Sequence, residues 1–399
     1  MPQYLSPGVY VEEVPSSSAP IAGVGTSTAG FIGEVAAAVT MPEQPGKLDA
    51  QSNPVPYTVV AAGQPQLITS WLAFKNSFGD IQAGNNTLAH AVYGFFNNGG
   101  TRCWITRVAD VDSATQVTNA LADFAAIDEI AIVAAPGARS IAVQGAILDH
   151  CENSGDRFAI IDGQRTTTLT PAAIKGGDAT ATPPTNPLRN SNYGAIYWPW
   201  IAVFDPASNA TIFQPPSGHL AGIYARVDTL RGVHKAPANE VIRGSVGLEN
   251  LLSRADQDGL NPAGINVIRS FDGTVTVWGA RTIGGDANGE WKYVPVRRLF
   301  LFLRESIDEG TRWAVFEPND RALWAKITRN VTAFLTNVWR SGALFGATPA
   351  EAFYVKCDDE TNPPEVRDLG QVITEIGVAV VKPAEFVIFR ISQWAGPGQ

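Results

Sequence analysis

The sequence predicts an α/β protein, α+β overall once both chain ends are counted, and three observations carry that prediction. Between about residues 103 and 162 short apolar runs alternate with amphipathic helical stretches, the order that builds a mostly parallel sheet. The 399 residues are 45% hydrophobic and 17% charged, enough core material for two or three domains and no case for disorder. Both ends read as strands with no partner nearby in sequence.

In chain order, residues 1–20 form an arm rather than part of a compact domain. Val9-Tyr10-Val11-Glu12-Glu13-Val14 is a short strand, followed by a Ser/Pro linker from Pro15 to Pro20. A lone strand is not stable in water, so it must add to a sheet elsewhere. An α/β domain is expected over 21–290, with its first core strand at 30–35. Residues 40–66, rich in Pro, Gln and Gly, read as a loop or inserted hairpin. Thr69 to Asn97 is mostly helical, with Leu88, Val92, Phe95 and Phe96 at helical spacing. Strands follow at Cys103–Val108, Ile130–Ala134 and Phe158–Asp162, with helices near 114–126 and 138–153. Residues 163–195, rich in Pro, Gly and Thr, are a surface excursion. The chain returns as one strand, Ala195–Phe204, and a helix, Gly218–Thr229. Strands are expected at Gly264–Arg269 and Val275–Trp278. A C-terminal domain over 291–370 holds a helix at about 296–309, starting near Pro295, and another from Asp320 to Ser341. Residues 371–399 form the second arm, whose Gln371–Ile391 reads as a hairpin or strand pair around Pro383.

Composition excludes several functions. A net charge of −9 argues against nucleic acid as the main partner. No apolar run approaches the ~18 residues of a membrane-spanning helix, and the N-terminal residues lack the basic and apolar regions of a secretory signal. Cys103, Cys151 and Cys357 are odd in number and far apart, which fits a reducing cytoplasm better than a disulfide framework or a zinc site. The low charge and ten tryptophans suggest a surface largely covered by neighbours.

Catalytic motifs fare poorly. Gly25-Thr26-Ser27-Thr28-Ala29 matches the surroundings of a subtilisin-type nucleophile, but Ser27 precedes all four histidines (His90, His150, His219, His234), and none of them sits in a motif. No G-x-x-x-x-G-K-[ST] occurs, and Gly23, Gly25 and Gly30 miss the dinucleotide spacing. No ligand set has metal spacing, and Cys357-Asp358-Asp359-Glu360 reads as a solvated turn. No catalytic, cofactor or metal residue is therefore assigned.

The second C-terminal helix is more informative. Trp324, Ile327, Val331, Phe334, Leu335 and Val338 share one face, and Lys326, Arg329 and Arg340 lie opposite. No acidic residue occurs from Arg321 to Ser341. A basic stripe on an acidic protein suits docking against an acidic partner surface.

Several strings together resemble the contractile tail sheath family. They are Tyr4-Leu5-Ser6-Pro7-Gly8-Val9-Tyr10-Val11-Glu12-Glu13, His234-Lys235-Ala236-Pro237-Ala238-Asn239, Gly264-Ile265-Asn266-Val267-Ile268-Arg269 and Val277-Trp278-Gly279-Ala280-Arg281-Thr282. Further on come Arg297-Arg298-Leu299, Phe316-Glu317-Pro318-Asn319-Asp320 with Leu323-Trp324, Val355-Lys356-Cys357-Asp358, and Lys382-Pro383-Ala384-Glu385-Phe386-Val387-Ile388.

The resemblance implies an outer domain of subtilisin-like fold without a protease site and a C-terminal domain facing an inner tube. It further implies arms, Val9–Val14 and Phe386-Val387-Ile388-Phe389-Arg390-Ile391, that pair with neighbouring subunits, and a tube contact through Arg321, Lys326, Arg329 and Arg340. The expected assembly is a helical stack of hexameric rings around an inner tube protein, with baseplate and terminator or cap proteins at its ends. No nucleotide, nucleic acid or direct membrane insertion is expected. Such a particle would assemble in the bacterial cytoplasm as a phage tail or a released extracellular injection particle. The competing reading is a hydrolase with a subtilisin-like α/β fold.

Overall fold

The computed structural model describes residues 20–390. Its centre is a nine-stranded mixed sheet in the order Glu240–Val241, Thr274–Val277, Ile265–Phe271, Gly194–Trp198, Phe158–Asp162, Ile132–Ala134, Ala29–Glu34, Cys103–Val108, Gln66–Ile68. From Ile265–Phe271 to Cys103–Val108 every pairing is parallel, and the strands flanking this stretch are antiparallel. Strands buried on both faces need apolar side chains at every position, with the period of two deciding which layer each enters. Phe158 and Ile160 face one layer while Ala159 and Ile161 face the other. The first layer is covered by helices Trp71–Phe78, Asn86–Asn97 and Ser217–Arg231. The second is covered by Ala114–Phe124, Ile141–Ser154 and Arg254–Leu260.

A separate C-terminal core is built by the helices Val294–Thr311 and Arg321–Arg340 with a two-stranded antiparallel sheet, Phe353–Lys356 and Glu375–Val378. The second helix starts where Asp320 accepts a bond from the Leu323 amide at 2.8 Å, leaving its orphan donor satisfied. It ends at Gly342, whose φ of +83° a side chain with a Cβ would resist. Leu323, Trp324, Ile327, Val331, Phe334, Leu335 and Val338 are buried, as the apolar stripe predicts. Ile21 and Val233 join this core, so the chain before and beside the central sheet reaches into it.

Most elements fall where the sequence predicts, including the inserted hairpin of Glu43–Leu48 with Pro54–Pro56. Three differ. Thr69–Asn97 is two helices, because the Gly79-Asp80 turn interrupts them. The run Ala195–Phe204 is two strands in different sheets: Gly194–Trp198 lies in the central one, and Ile201–Asp205 pairs with Ala210–Gln214 and Ser245–Leu248. Pro199 between them has no N–H to donate to a ladder, which forces the break. The Gln371–Ile391 hairpin is not formed. Among its described residues only Glu375–Val378 is a strand, its partner is Phe353–Lys356, and beyond a bridge at Val380 residues 381–390 have no regular structure. Pro383 again removes a donor where a second strand would need one.

Candidate assembly surfaces

The C-terminal arm leaves from the small sheet. Phe353, Val355, Ile376 and Val378 pack against the core under helix Arg321–Arg340, while Tyr354 points out and is 59% exposed. A two-stranded sheet is marginal alone, and its outer edges present unpaired backbone groups. After Val381, whose amide donates to the Ala343 carbonyl, the described chain is hydrogen-bonded back through one side chain, Glu385. Its carboxylate accepts from Arg281 Nε at 2.7 Å and Nη2 at 2.8 Å, from Asn261 Nδ2 at 2.9 Å and from Tyr293 Oη at 2.9 Å. Burial pushes the Glu385 carboxyl up, but the bonds from Arg281, Asn261 and Tyr293 outweigh it and hold it below its ordinary value.

Beyond that point the described residues of the arm are exposed. Phe386, Val387, Ile388 and Phe389 are 69%, 70%, 78% and 84% exposed, and Arg390 is exposed as well. Four consecutive large apolar residues in the open are a patch that asks for a partner. Ile391 and the whole of Val9-Tyr10-Val11-Glu12-Glu13-Val14 lie outside the described residues.

The start of the described chain, residues 21–26, is tied down by a second arginine. Arg298, on the long helix, is buried and grips Asp228 at 2.9 and 2.7 Å, donates to the Thr26 carbonyl at 2.9 Å and stacks 4.7 Å over Tyr224. Thr26 Oγ1 also donates to Asp228 at 2.6 Å, and Ser306 Oγ accepts from the Val24 amide at 3.1 Å. Residues 21–26 thus run along helix Val294–Thr311, with Ile21 against Gly310 and Gly23 against Phe302.

On helix Arg321–Arg340 the basic residues separate. Arg321 pairs with Asp359 at 2.8 Å, so its charge is matched within the chain. Arg329 and Arg340 are exposed, Lys326 is half-buried, and none of the three has an ion-pair partner among the described residues. Sequence reasoning found this stripe but missed both arginine clasps. Arg281, Arg298 and Glu385 all sit inside the strings that carry the resemblance, yet nothing local announces that Arg281 and Glu385 meet.

A hydrolytic site does not assemble. Ser27 lines a cleft of about 490 Å³ with Asp128, Glu129, Asp156, Glu305 and Glu309, and no histidine is in its wall. Elsewhere Asp205 sits between Ser208 Oγ at 2.6 Å and His90 Nε2 at 3.2 Å, which puts the carboxylate where a triad needs the imidazole. Among the described residues no cluster of His, Cys, Asp and Glu could hold a metal, and no helix is long and apolar enough to cross a membrane.

Comparison with known proteins points to sheath proteins. The phage tail sheath protein central domain matches residues 112–283, and the phage tail sheath C-terminal domain matches residues 286–393. The tail sheath protein of Burkholderia phage BcepMu is 28% identical over 241 residues, covering 58% of this chain and 49% of the relative. The chain spans about half or less of the length of the curated relatives it matches first, 51% and 29%. Solved structures align almost end to end. The helical sheath of the anti-feeding prophage in its contracted state is 30% identical, with a TM-score of 0.75 over 97% of this chain and 99% of that one. The contracted PVC sheath complex of an extracellular contractile injection system is 28% identical, with a TM-score of 0.75 over 99% of both chains. With both domain profiles matched in order and a relative of 30% identity covered nearly whole, this chain belongs to the contractile tail sheath family.

Proposed function

We propose that this protein is the repeating subunit of a contractile sheath that polymerises around an inner tube and shortens to drive the tube through a target envelope. The observation that carries the reading is the alignment, over nearly the full length of both chains, with subunits of contracted injection-system sheaths. The exposed apolar run Phe386–Phe389 beside an open-edged two-stranded sheet supports it. A donated strand gains backbone hydrogen bonds at such an edge and pockets for alternate side chains. Head-to-tail contacts of this type do not close on themselves and so generate a helical polymer. Residues 1–20 and 371–399 are the arms, 21–290 the outer domain with its subtilisin-like fold, and 291–370 the tube-facing domain.

Contraction needs no nucleotide in this scheme. New apolar burial between outer domains would drive it. At ~25 cal/mol per Å², an extra ~500 Å² of such burial per subunit gives at most ~12 kcal/mol, from which polar desolvation and ordering subtract heavily. About 2 kcal/mol per subunit suffices when summed over a long cooperative polymer. Lys326, Arg329 and Arg340 are the groups that face the acidic surface of a tube in the extended state, with Arg321 joining them only by releasing Asp359. The hydrolase alternative is not supported, since the relatives are sheath proteins and no histidine lines the cleft at Ser27 among the described residues. Negative-stain electron microscopy of the purified chain tests the proposal. Hollow ridged tubes are expected, and dispersed ~42 kDa particles at high concentration with intact termini would refute self-polymerisation.

A further inference from the structure

We infer that Arg281, Asn261 and Tyr293 form a preformed carboxylate socket whose occupant, Glu385, fixes the point at which the C-terminal arm leaves the subunit. The inference rests on the arm exchange proposed above and adds the residues that make the arm a taut coupling. The socket is rigid before Glu385 arrives. The Arg281 backbone is held on both sides by buried Asn266, whose Oδ1 accepts from the Arg281 amide at 2.7 Å and whose Nδ2 donates to the Arg281 carbonyl at 2.7 Å. Gly264, with φ of +77°, lies so close to the Thr282 carbonyl that a Cβ would come within 2.1 Å of it. The arginine side chain is only 4% exposed, and its Nη1 is occupied by the Asn261 carbonyl at 3.0 Å and Asp286 at 3.1 Å. That leaves Nε and Nη2 aimed at one carboxylate in the fork geometry arginine offers. Asn261 and Tyr293 then add one donor to each Glu385 oxygen, so all four bonds converge on the same group. Lys292, 2.7 Å from Asp286 and 4.0 Å from Glu385, balances the local charge.

The position of the socket gives it its role. Among the described residues Val381 makes the last backbone bond to the subunit, and every residue from Phe386 onward is exposed. With the clasp closed, free chain starts at 386. With it open, free chain starts at 382, which adds four residues and about 14 Å of slack. Slack in a tether lowers the effective concentration of its end at the neighbour's sheet. An internal ion pair with no such role would change the melting of the subunit and leave assembly of the folded fraction alone.

The test compares the full chain with Glu385→Gln, Glu385→Ala, Tyr293→Phe and a deletion of 386–399, measuring the critical concentration for tube formation by sedimentation and the melting of the unassembled chain. The expected order is wild type, Tyr293→Phe, Glu385→Gln, Glu385→Ala, with the alanine variant raised about tenfold or more while its melt stays cooperative. Hydrogen exchange of the Val381 amide, the last backbone bond before the socket, should also speed up in the unassembled alanine variant. Glu385→Gln and Glu385→Ala assembling at the wild-type concentration, while the deletion does not assemble, would overturn the socket and leave strand donation standing. A deletion that assembles normally would overturn both.

Discussion

Replacing Phe386 and Ile388 together by serine isolates the energy that the arm contributes to the polymer. In an extended chain these two point one way, and Val387 and Phe389 point the other. A strand added to the edge of Phe353–Lys356 or Glu375–Val378 turns one face toward a core like that under helix Arg321–Arg340 and the other toward solvent or a further neighbour. Full burial of a Phe or Ile contributes about 1.5–3 kcal/mol, and in the free subunit these two are 69% and 78% exposed, so most of it remains to be gained. Allowing for ordering of the arm, roughly 1–2 kcal/mol per side chain survives, or about 2–4 kcal/mol for the pair. That is about a 30- to 800-fold change in critical concentration. The assay is the unpelleted protein left after ultracentrifugation across a concentration series, for Phe386→Ser with Ile388→Ser and for Val387→Ser with Phe389→Ser. Because all four side chains are exposed, neither variant should alter the melt of the free subunit. One pair should act strongly and the other weakly. Equal shifts from both pairs, or none from either, would refute the strand geometry.

Arg298→Met breaks a buried ion pair and leaves Asp228 uncompensated, which should cost about 3–5 kcal/mol in denaturant unfolding; Arg298→Met combined with Asp228→Asn should cost clearly less than the two single changes added. Burial holds His219, with His90 nearby, down to about 3, while in the unfolded chain it titrates at its ordinary 6.5. The unfolded state therefore binds the extra proton, so stability is present above 6.5 and is lost as pH falls toward 3. His219→Leu should shrink the stability difference between pH 7 and pH 5 by about 2 kcal/mol, and an unchanged difference would exclude the assignment. Lys326→Glu with Arg329→Glu should leave tubes forming from the sheath protein alone but abolish assembly around an inner tube, a result that normal extended particles would contradict.

The parallel layers were legible because they obey short-range rules. Phe158–Asp162 reads as a doubly buried strand in five residues, and the apolar stripe from Trp324 to Val338 fixes both the helix and the face it buries. What escaped depends on partners far apart in sequence. The run from Ala195 to Phe204 has strand composition throughout, and only Pro199 hints that its halves enter different sheets. Gln371–Ile391 has the residues of a hairpin, but among the described residues its one strand pairs with Phe353–Lys356, and past Val381 none bonds to backbone. The basic stripe was visible as a pattern, whereas the pairing of Arg321 with Asp359 required the turn after Lys356 to fold back beside the helix. Glu385 and Arg281 are 104 residues apart, and no periodicity connects them.

Helix Val294–Thr311 has a mechanical consequence of its own. Residues 21–26 are fastened along it as far as Gly310, and Glu385 is fastened at Tyr293, the residue before its first turn. Seventeen residues of helix separate those points, about 26 Å at 1.5 Å each. Opposed pulls acting across the axis at the two ends of a stiff rod form a couple, and a couple produces rotation before it produces stretch. In the proposed sheath, a subunit mounted in this way would convert its neighbours' pull across the rod into turning about its own centre, with the rod as the moment arm.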